Sequence, residues 1–313
     1  MKKNLLSATA LALAISAGTA FAADLPSHKA PPYIPPPPLM TWTGFYVGVN
    51  AGGTFGGSNS IWTSVAPFAL GGGASVGAAG LIPHAAASAL AGSSIASRGV
   101  SGFIGGGQIG YNWQFGGRYV VGVEADIQGV VGGRGTANGI GVAPVIPGAP
   151  PHFYLSFNQA SKSLDYLGTV RGRAGFLFTP NLLVYATGGL AYGGVNVRNS
   201  IFQAHFVGGA PLATLPNFGT SSAFSNTRAG WTVGGGGEWM FAPKWSAKVE
   251  YLYYNLGSVA TNSLLVQPDL ADPTGLLFAS AVQTRTRFDG HIVRAGINYH
   301  FWSAPPPAVY AKY

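Results

Sequence analysis

The residues of this chain best suited to chemistry are eight charges set in runs where apolar residues alternate with small or polar ones. Glu124 and Asp126 stand in "YVVGVEADIQGVV", Arg171 and Arg173 in "DYLGTVRGRAGF", and Glu238 in "GWTVGGGGEWMF". Lys248 and Glu250 stand in "KWSAKVEYLYY", and Arg294 in "HIVRAGINYHF". A strand points successive side chains to opposite faces, so each charge falls on the less apolar face of its run. Four cations against four acids can close into a network of ion pairs, or can line a gated or narrow ion path.

Other chemistries find no constellation. The chain has no cysteine, and its six histidines, His28, His84, His152, His205, His291 and His300, lack metal-ligand spacing, so neither a metal nor a cofactor is expected. The stretch "GGGQIG" at 105–110 fits G-x-G-x-x-G but lies inside a strand-like run, with no following helix to present amides to a phosphate. Serines abound in the connecting segments, yet none is matched with a histidine and an acid, so no enzyme is expected. Basic residues are dispersed singly, which argues against a nucleic-acid surface.

Composition identifies what must hold the charges. Charged residues are 8% of the chain, against about 25% in an ordinary soluble domain, and 48 of 313 residues are glycine. The opening "MKKNLLSATALALAISAGTAFA" has two lysines, an apolar stretch and small residues at Ala20 and Ala22, the pattern of a signal peptide over 1–22 that leaves a mature chain starting at Ala23. Seventeen Lys and Arg less Lys2 and Lys3 leave 15 bases against 9 acids, a mature net charge of +6. Beyond the signal no run of about 18 apolar residues could form a spanning helix. A chain that is exported, poor in charge and without such a helix meets lipid as a closed β-barrel, where closure satisfies every backbone group.

The period-two runs predict strands at about 44–55, 102–115, 119–131, 164–178, 182–197, 230–241, 245–256 and 288–301. Three connections are tight, "GGR" at 116–118, "TPN" at 179–181 and "APK" at 242–244, and they alternate with long ones at 56–101, 132–163, 198–229 and 257–287. The expected fold class is therefore all-β: an eight-stranded antiparallel transmembrane β-barrel with short periplasmic turns and four long extracellular loops. A proline-rich segment at 23–41 reads as a periplasmic linker, 42–301 as the barrel and 302–313 as a periplasmic tail. The tract "LGGGASVGAAGLIPHAAASALAGSSIAS" is either mobile or folded over the barrel mouth. In the fifth strand, "LLVYATGGLAYGG", both faces are similarly apolar and parity does not fix the facing.

An eight-stranded barrel has an interior only wide enough for side chains, so the eight charges are expected to pair within it. Trp42, Phe45, Tyr46, Trp113, Phe115, Tyr119, Phe176, Phe178, Phe241, Trp245, Tyr299 and Phe301 gather at the end of the tight turns, where an aromatic girdle is expected. His300 is expected to hydrogen-bond at that end of the lumen. At the opposite end Arg98, Arg134, Lys162, Arg198, Arg228, Arg285 and Arg287 stand at or just beyond the strand ends, with Asp165 and Asp289 as the acids in comparable positions. They are expected to form a cationic rim for the phosphates of outer-leaflet lipopolysaccharide.

The "ADLP" start of the mature chain, "WTGFYVGVNAGGTFG", "GFIGGGQIGYNWQFGGRYVVGVEADIQG", "DYLGTVRGRAGF", "LLVYATGGLAYGG", "GWTVGGGGEWMF", "KWSAKVEYLYYNLGS" and "VRAGINYHF" resemble the small porin-like outer-membrane proteins of alphaproteobacteria, immunogenic surface barrels of the general outer-membrane β-barrel class. The resemblance covers residues 42 to 301 and leaves out the long connections. It implies the outer membrane of a Gram-negative bacterium, partners in outer-membrane lipid and lipopolysaccharide, and assembly by the insertion machinery with periplasmic chaperones. The function it implies is structural, serving envelope integrity and surface display. A low-conductance porin for small solutes or ions is the alternative, and an adhesin-like loop surface the third. Oligomeric state is not legible, nor is the aromatic that acts as assembly signal.

Overall fold

Valine, isoleucine, tyrosine, phenylalanine and threonine favour extended backbone, and glycines on the less apolar face leave room for large neighbours, so the alternating runs pair along their length. The structure, a computed structural model, describes residues 41–57, 60–70, 78–93, 95–96, 99–146, 152–208, 210–211, 218–268 and 277–301. The expected signal peptide, the linker apart from Thr41, the tail and Arg98 lie outside these residues. The strands are β1 Gly44–Phe55, β2 Ser60–Leu70, β3 Ile95–Ala96, β4 Gly102–Phe115, β5 Tyr119–Val131, β6 Arg134–Ile146, β7 His152–Thr179, β8 Leu182–Val207, β9 Ala210–Pro211, β10 Phe218–Ala242, β11 Trp245–Pro268 and β12 Leu277–His300, with a helix, α1, over Ala78–Gly92.

Antiparallel pairing runs β1–β4–β5–β7–β8–β10–β11–β12 and returns from β12 to β1, closing a ring. Closure is in continuous register from Tyr46 opposite His300 to Phe55 opposite His291. The tight turns fall where the sequence places them, and Gly116 and Gly117 take the positive φ angles of 56° and 73° that the β4–β5 turn requires.

β1, β4 and β5 have the expected bounds, but five strands continue far past theirs, β7 for 28 residues and β8 for 26. The expected long loops are therefore largely paired strand. The first holds β2, α1 and β3, the second holds β6 and the outer half of β7, and the last two are mostly outward continuations of β8, β10, β11 and β12. These outer segments carry polar residues on both faces, as in Asn199 and Gln203 inside and Arg198 and Ser200 outside, so apolar alternation does not mark them. A bulge between Leu164 and Tyr166 also shifts parity midway along β7.

The β10–β11 ladder ends at Trp231 opposite Asn255. Beyond it the sheet continues as two leaves, β6–β7–β8–β10 and β11–β12–β2–β3. The helix packs against β6 and β7 of one leaf and β2 and β12 of the other. Alanine is the strongest helix former, and seven alanines recur in "AAGLIPHAAASALAG". Ala85, Ala86 and Ala89 pack with Ala143, Tyr154 and Phe278, and Leu90 packs with Ile201, Leu265 and Val282. Gly141 admits this approach, because a Cβ there would collide with the Ala89 carbonyl. The low-complexity tract thus includes an ordered stopper inside the outer half.

Candidate functional site

Each of the eight predicted lumen charges is buried, and they form one connected cluster. β5 supplies Glu124 and Asp126, β7 Arg171 and Arg173, β10 Glu238, β11 Lys248 and Glu250, and β12 Arg294. Pleating sends alternate residues inward, and the registers Glu124–Arg171, Glu238–Lys248 and Glu250–Arg294 bring opposite charges level across neighbouring strands. Arg171 lies between three acids, with Nη2 on Glu124 and 2.9 Å from Asp126, and Nη1 2.9 Å from Glu250. Arg294 joins Asp126 at 2.9 Å to Glu250, and Lys248 Nζ donates to both oxygens of Glu124 at 2.9 Å. Arg173 reaches Glu238 at 2.7 Å. Desolvating so many charges is tolerable only with this completeness of pairing.

Neutral side chains complete the cluster, and the sequence reading did not select most of them. Tyr46 donates to Glu124 at 2.7 Å and accepts from Arg173 at 3.0 Å, Tyr185 donates to Glu250 at 3.1 Å, and Thr169 donates to Asp126 at 2.8 Å. Glu238 accepts from Ser246 at 2.6 Å and Asn298 at 2.7 Å, while His300 lies 2.9 Å from the Ser246 hydroxyl. Two expectations are corrected: Tyr46 and Trp42, grouped with the aromatic girdle, are buried inside. Strand parity carries the signal for Tyr46, since it alternates with the outward Phe45 and Val47. Trp42 closes the tight-turn end, donating its indole N–H to the Pro180 carbonyl at 3.1 Å. In the fifth strand Leu183 and Tyr185 face in and Val184 and Leu190 face out.

The outer surface of the ring is apolar between two aromatic bands. Phe45, Trp113, Phe115, Tyr119, Phe176, Phe178, Phe241, Trp245 and Phe301 are exposed at the tight-turn end. At the other end Phe55, His291, Tyr253 and Trp231 form a contiguous chain of rings with centroids 5.9, 5.3 and 5.4 Å apart. His291 to Phe301 matches the roughly 9–11 residues with which a tilted strand crosses a bilayer.

The predicted rim divides. Arg134, Arg198, Arg285 and Arg287 are exposed on the outer face just past the second aromatic band. Lys162 is not on it. The β7 bulge turns its side chain inward beside the Phe288 ring, with Nζ 5.9 Å from the centroid. Burial there holds its ammonium below the ordinary lysine range, with Asp289 acting in the opposite sense. Arg228 is half-buried and donates to the Ser258 carbonyl at 3.1 Å across the β10–β11 break, which the extension of both strands creates.

Residues 8–301 match the family model described as an outer membrane protein beta-barrel domain. The 31 kDa outer-membrane immunogenic proteins of Brucella melitensis and Brucella suis are each 31% identical over 303 residues, covering 96% of this chain and 100% of theirs. Among solved structures, the outer membrane protein OprG from Pseudomonas aeruginosa aligns over 85% of this chain and 100% of its own, with 11% identity and a TM-score of 0.36. The closed antiparallel ring, the apolar outer band, the family match and the full-length likeness to the Brucella proteins lead to one conclusion: the chain belongs to the outer-membrane β-barrel proteins and resides in the cell outer membrane.

Proposed function

We propose that this protein is a structural, non-enzymatic barrel of the envelope. In this reading eight strands cross the outer membrane with their tight turns in the periplasm, and the extended strands display a surface outside. The observation that carries it is the filled lumen: Arg171, Arg294 and Lys248 are each 1% exposed and lie within hydrogen-bonding distance of carboxylates from neighbouring and distant strands. The helix wedged between the outer leaves adds a second obstruction. The likeness to immunogenic outer-membrane proteins supports surface display. Outer-membrane lipid and lipopolysaccharide are the proposed surroundings, the latter at the rim of Arg134, Arg198, Arg285 and Arg287. The insertion machinery and periplasmic chaperones are the proposed assembly partners.

A low-conductance pore is the second reading, favoured by Arg173 Nε and Arg294 Nη1, which are buried without a hydrogen-bond partner among the described residues. Planar-bilayer recordings of refolded protein separate the two, with the variant R171Q/R173Q alongside. Silence from preparations shown to be folded is the expected result. Reproducible openings whose conductance changes in the variant would overturn the structural reading in favour of the pore.

A further inference from the structure

The outer face of β6, β7 and β8 carries a polar hollow of about 360 Å³ just past the second aromatic band. Its floor is small because two serines of β7, Ser161 and Ser163, lie between longer side chains on the flanking strands. Arg134 of β6 stands opposite Ser163, and Arg198 of β8 stands opposite Ser161. The two arginines therefore lie on either side of β7, about 12 Å apart at the backbone by strand spacing and a two-residue offset, close enough for both side chains to bend over the serines. Both are exposed and neither guanidinium has an ion-pair or hydrogen-bond partner among the described residues.

Asp165, the acid on the lip, forms no ion pair with either arginine among the described residues. Its carboxylate accepts from Asn196 Nδ2 at 2.7 Å and from the Ser163 hydroxyl at 3.4 Å. The arrangement leaves two planar guanidinium forks beside the Ser161 hydroxyl, with Ser163 engaged by Asp165 and Asn196, geometry suited to the oxygens of a phosphate. Height on the wall narrows the ligand further. On the same outer face, one step toward the membrane, the Tyr166 ring lies over Gly194 and the Tyr192 ring over Gly168, since a Cβ on either glycine would collide with the ring. Below them Val170 and Leu190 are exposed on the apolar band. A phosphate held in the hollow is placed where an amphiphile bearing it can run acyl chains down the band.

We infer that Arg134 and Arg198, with the serine floor between them, form a specific site for the phosphate of a phosphorylated outer-leaflet glycolipid. This rests on the proposed contact between rim and lipopolysaccharide, and it assigns that contact to one location.

The test uses the mature protein folded in zwitterionic detergent and titrated with a bisphosphorylated, acylated glucosamine disaccharide in mixed micelles. Its dephosphorylated form and inorganic phosphate serve as comparison probes, and resistance to unfolding in cold SDS verifies folding of each variant. R134Q/R198Q is expected to weaken binding of the bisphosphorylated glycolipid by about tenfold or more, as loss of charge-assisted bonds requires, while R285Q/R287Q changes it less than about threefold. Loss only in R285Q/R287Q would overturn this site and leave the rim intact. No binding by the unaltered protein would overturn the rim and the site together. Equal binding of the dephosphorylated form would refute phosphate recognition. Binding of inorganic phosphate alone, lost in R134Q/R198Q and unaided by acyl chains, would keep the site as an anion site and overturn the glycolipid as its source.

Discussion

Replacing Glu124 with glutamine removes the acceptor on which the lumen cluster converges. The carboxylate takes two bonds from Lys248 at 2.9 Å, one from Tyr46 at 2.7 Å and one from Arg171. Glutamine has nearly the same shape but offers one acceptor oxygen, and its amide donates toward the side where cations and Tyr46 also donate. Charge-assisted bonds contribute about 1.5–3 kcal/mol each. Two of them are lost, and Lys248 loses Glu124, the carboxylate within 4 Å of it among the described residues. The expected cost is about 3–5 kcal/mol, the range for breaking a buried pair from one side. At about 1.4 kcal/mol per tenfold, the ratio of folded to unfolded protein falls by roughly two to four powers of ten. Urea unfolding in lipid vesicles, followed by tryptophan fluorescence, measures it. The companion variant E124Q/K248M restores charge balance and is expected to recover more than half of the loss. A single variant costing under about 1 kcal/mol, or a double variant costing the sum of the two singles, would refute the view that pairing holds this lumen closed.

Two further outcomes follow from the outer half. Because a side chain at Gly141 would collide with the α1 backbone, G141V is expected to expel the helix. In this cysteine-free chain the reporter A86C, protected in the parent, should then react with a membrane-impermeant maleimide at least about tenfold faster, as a buried residue newly exposed must; unchanged protection would show that α1 does not depend on that contact. His205 is half-buried, stacks on Tyr154 at 4.6 Å, and has no hydrogen-bond partner on either ring nitrogen among the described residues. Burial first, and His152 second, hold its pKa below the ordinary value near 6.5. The folded state then binds the proton less readily than the unfolded one, so the stability this group contributes is complete above about pH 6.5 and is withdrawn as pH falls through that value toward the lower folded one. Hydrogen-exchange protection in 152–158 and 201–207, taken relative to the intrinsic rate at each pH, should fall at pH 5 in the parent and less so in H205F; equal loss of protection in both would exclude His205 as the cause.

The membrane-crossing half was legible because lipid on one side and a crowded lumen on the other impose a strict alternation on every residue between the aromatic bands. Glu124, Arg171 and Arg294 could be grouped from parity alone. Tyr46 was misplaced because an aromatic near a strand end fits a girdle by type, and only its parity with Gly48 and Asn50 assigns it to the lumen. The outer half was not legible for a different reason. In water-facing strands both sides tolerate polar residues, so β6 and the outward parts of β8 and β10 carry no hydrophobic period, and pairing is set by continuity with the ring below. Lys162 shows the remaining obstacle: a bulge two residues away reverses its facing, and nothing in "SKSLDYL" announces it.

The lumen cluster also bears on the order in which the chain can mature. Asp126 meets Arg294, 168 residues later, and Glu124 meets Lys248, 124 residues later. Arg171 on the adjacent β7 meets both carboxylates of that early hairpin, but their remaining cations, Lys248 and Arg294, arrive only with the last two strands. A sheet lacking its last strand would leave Asp126 and Glu250 without Arg294, so completion of the interior network and the β1–β12 seam are reached in the same event. The closing strand acts as a latch, and whatever escorts the nascent sheet must shelter its charged face until that latch is set.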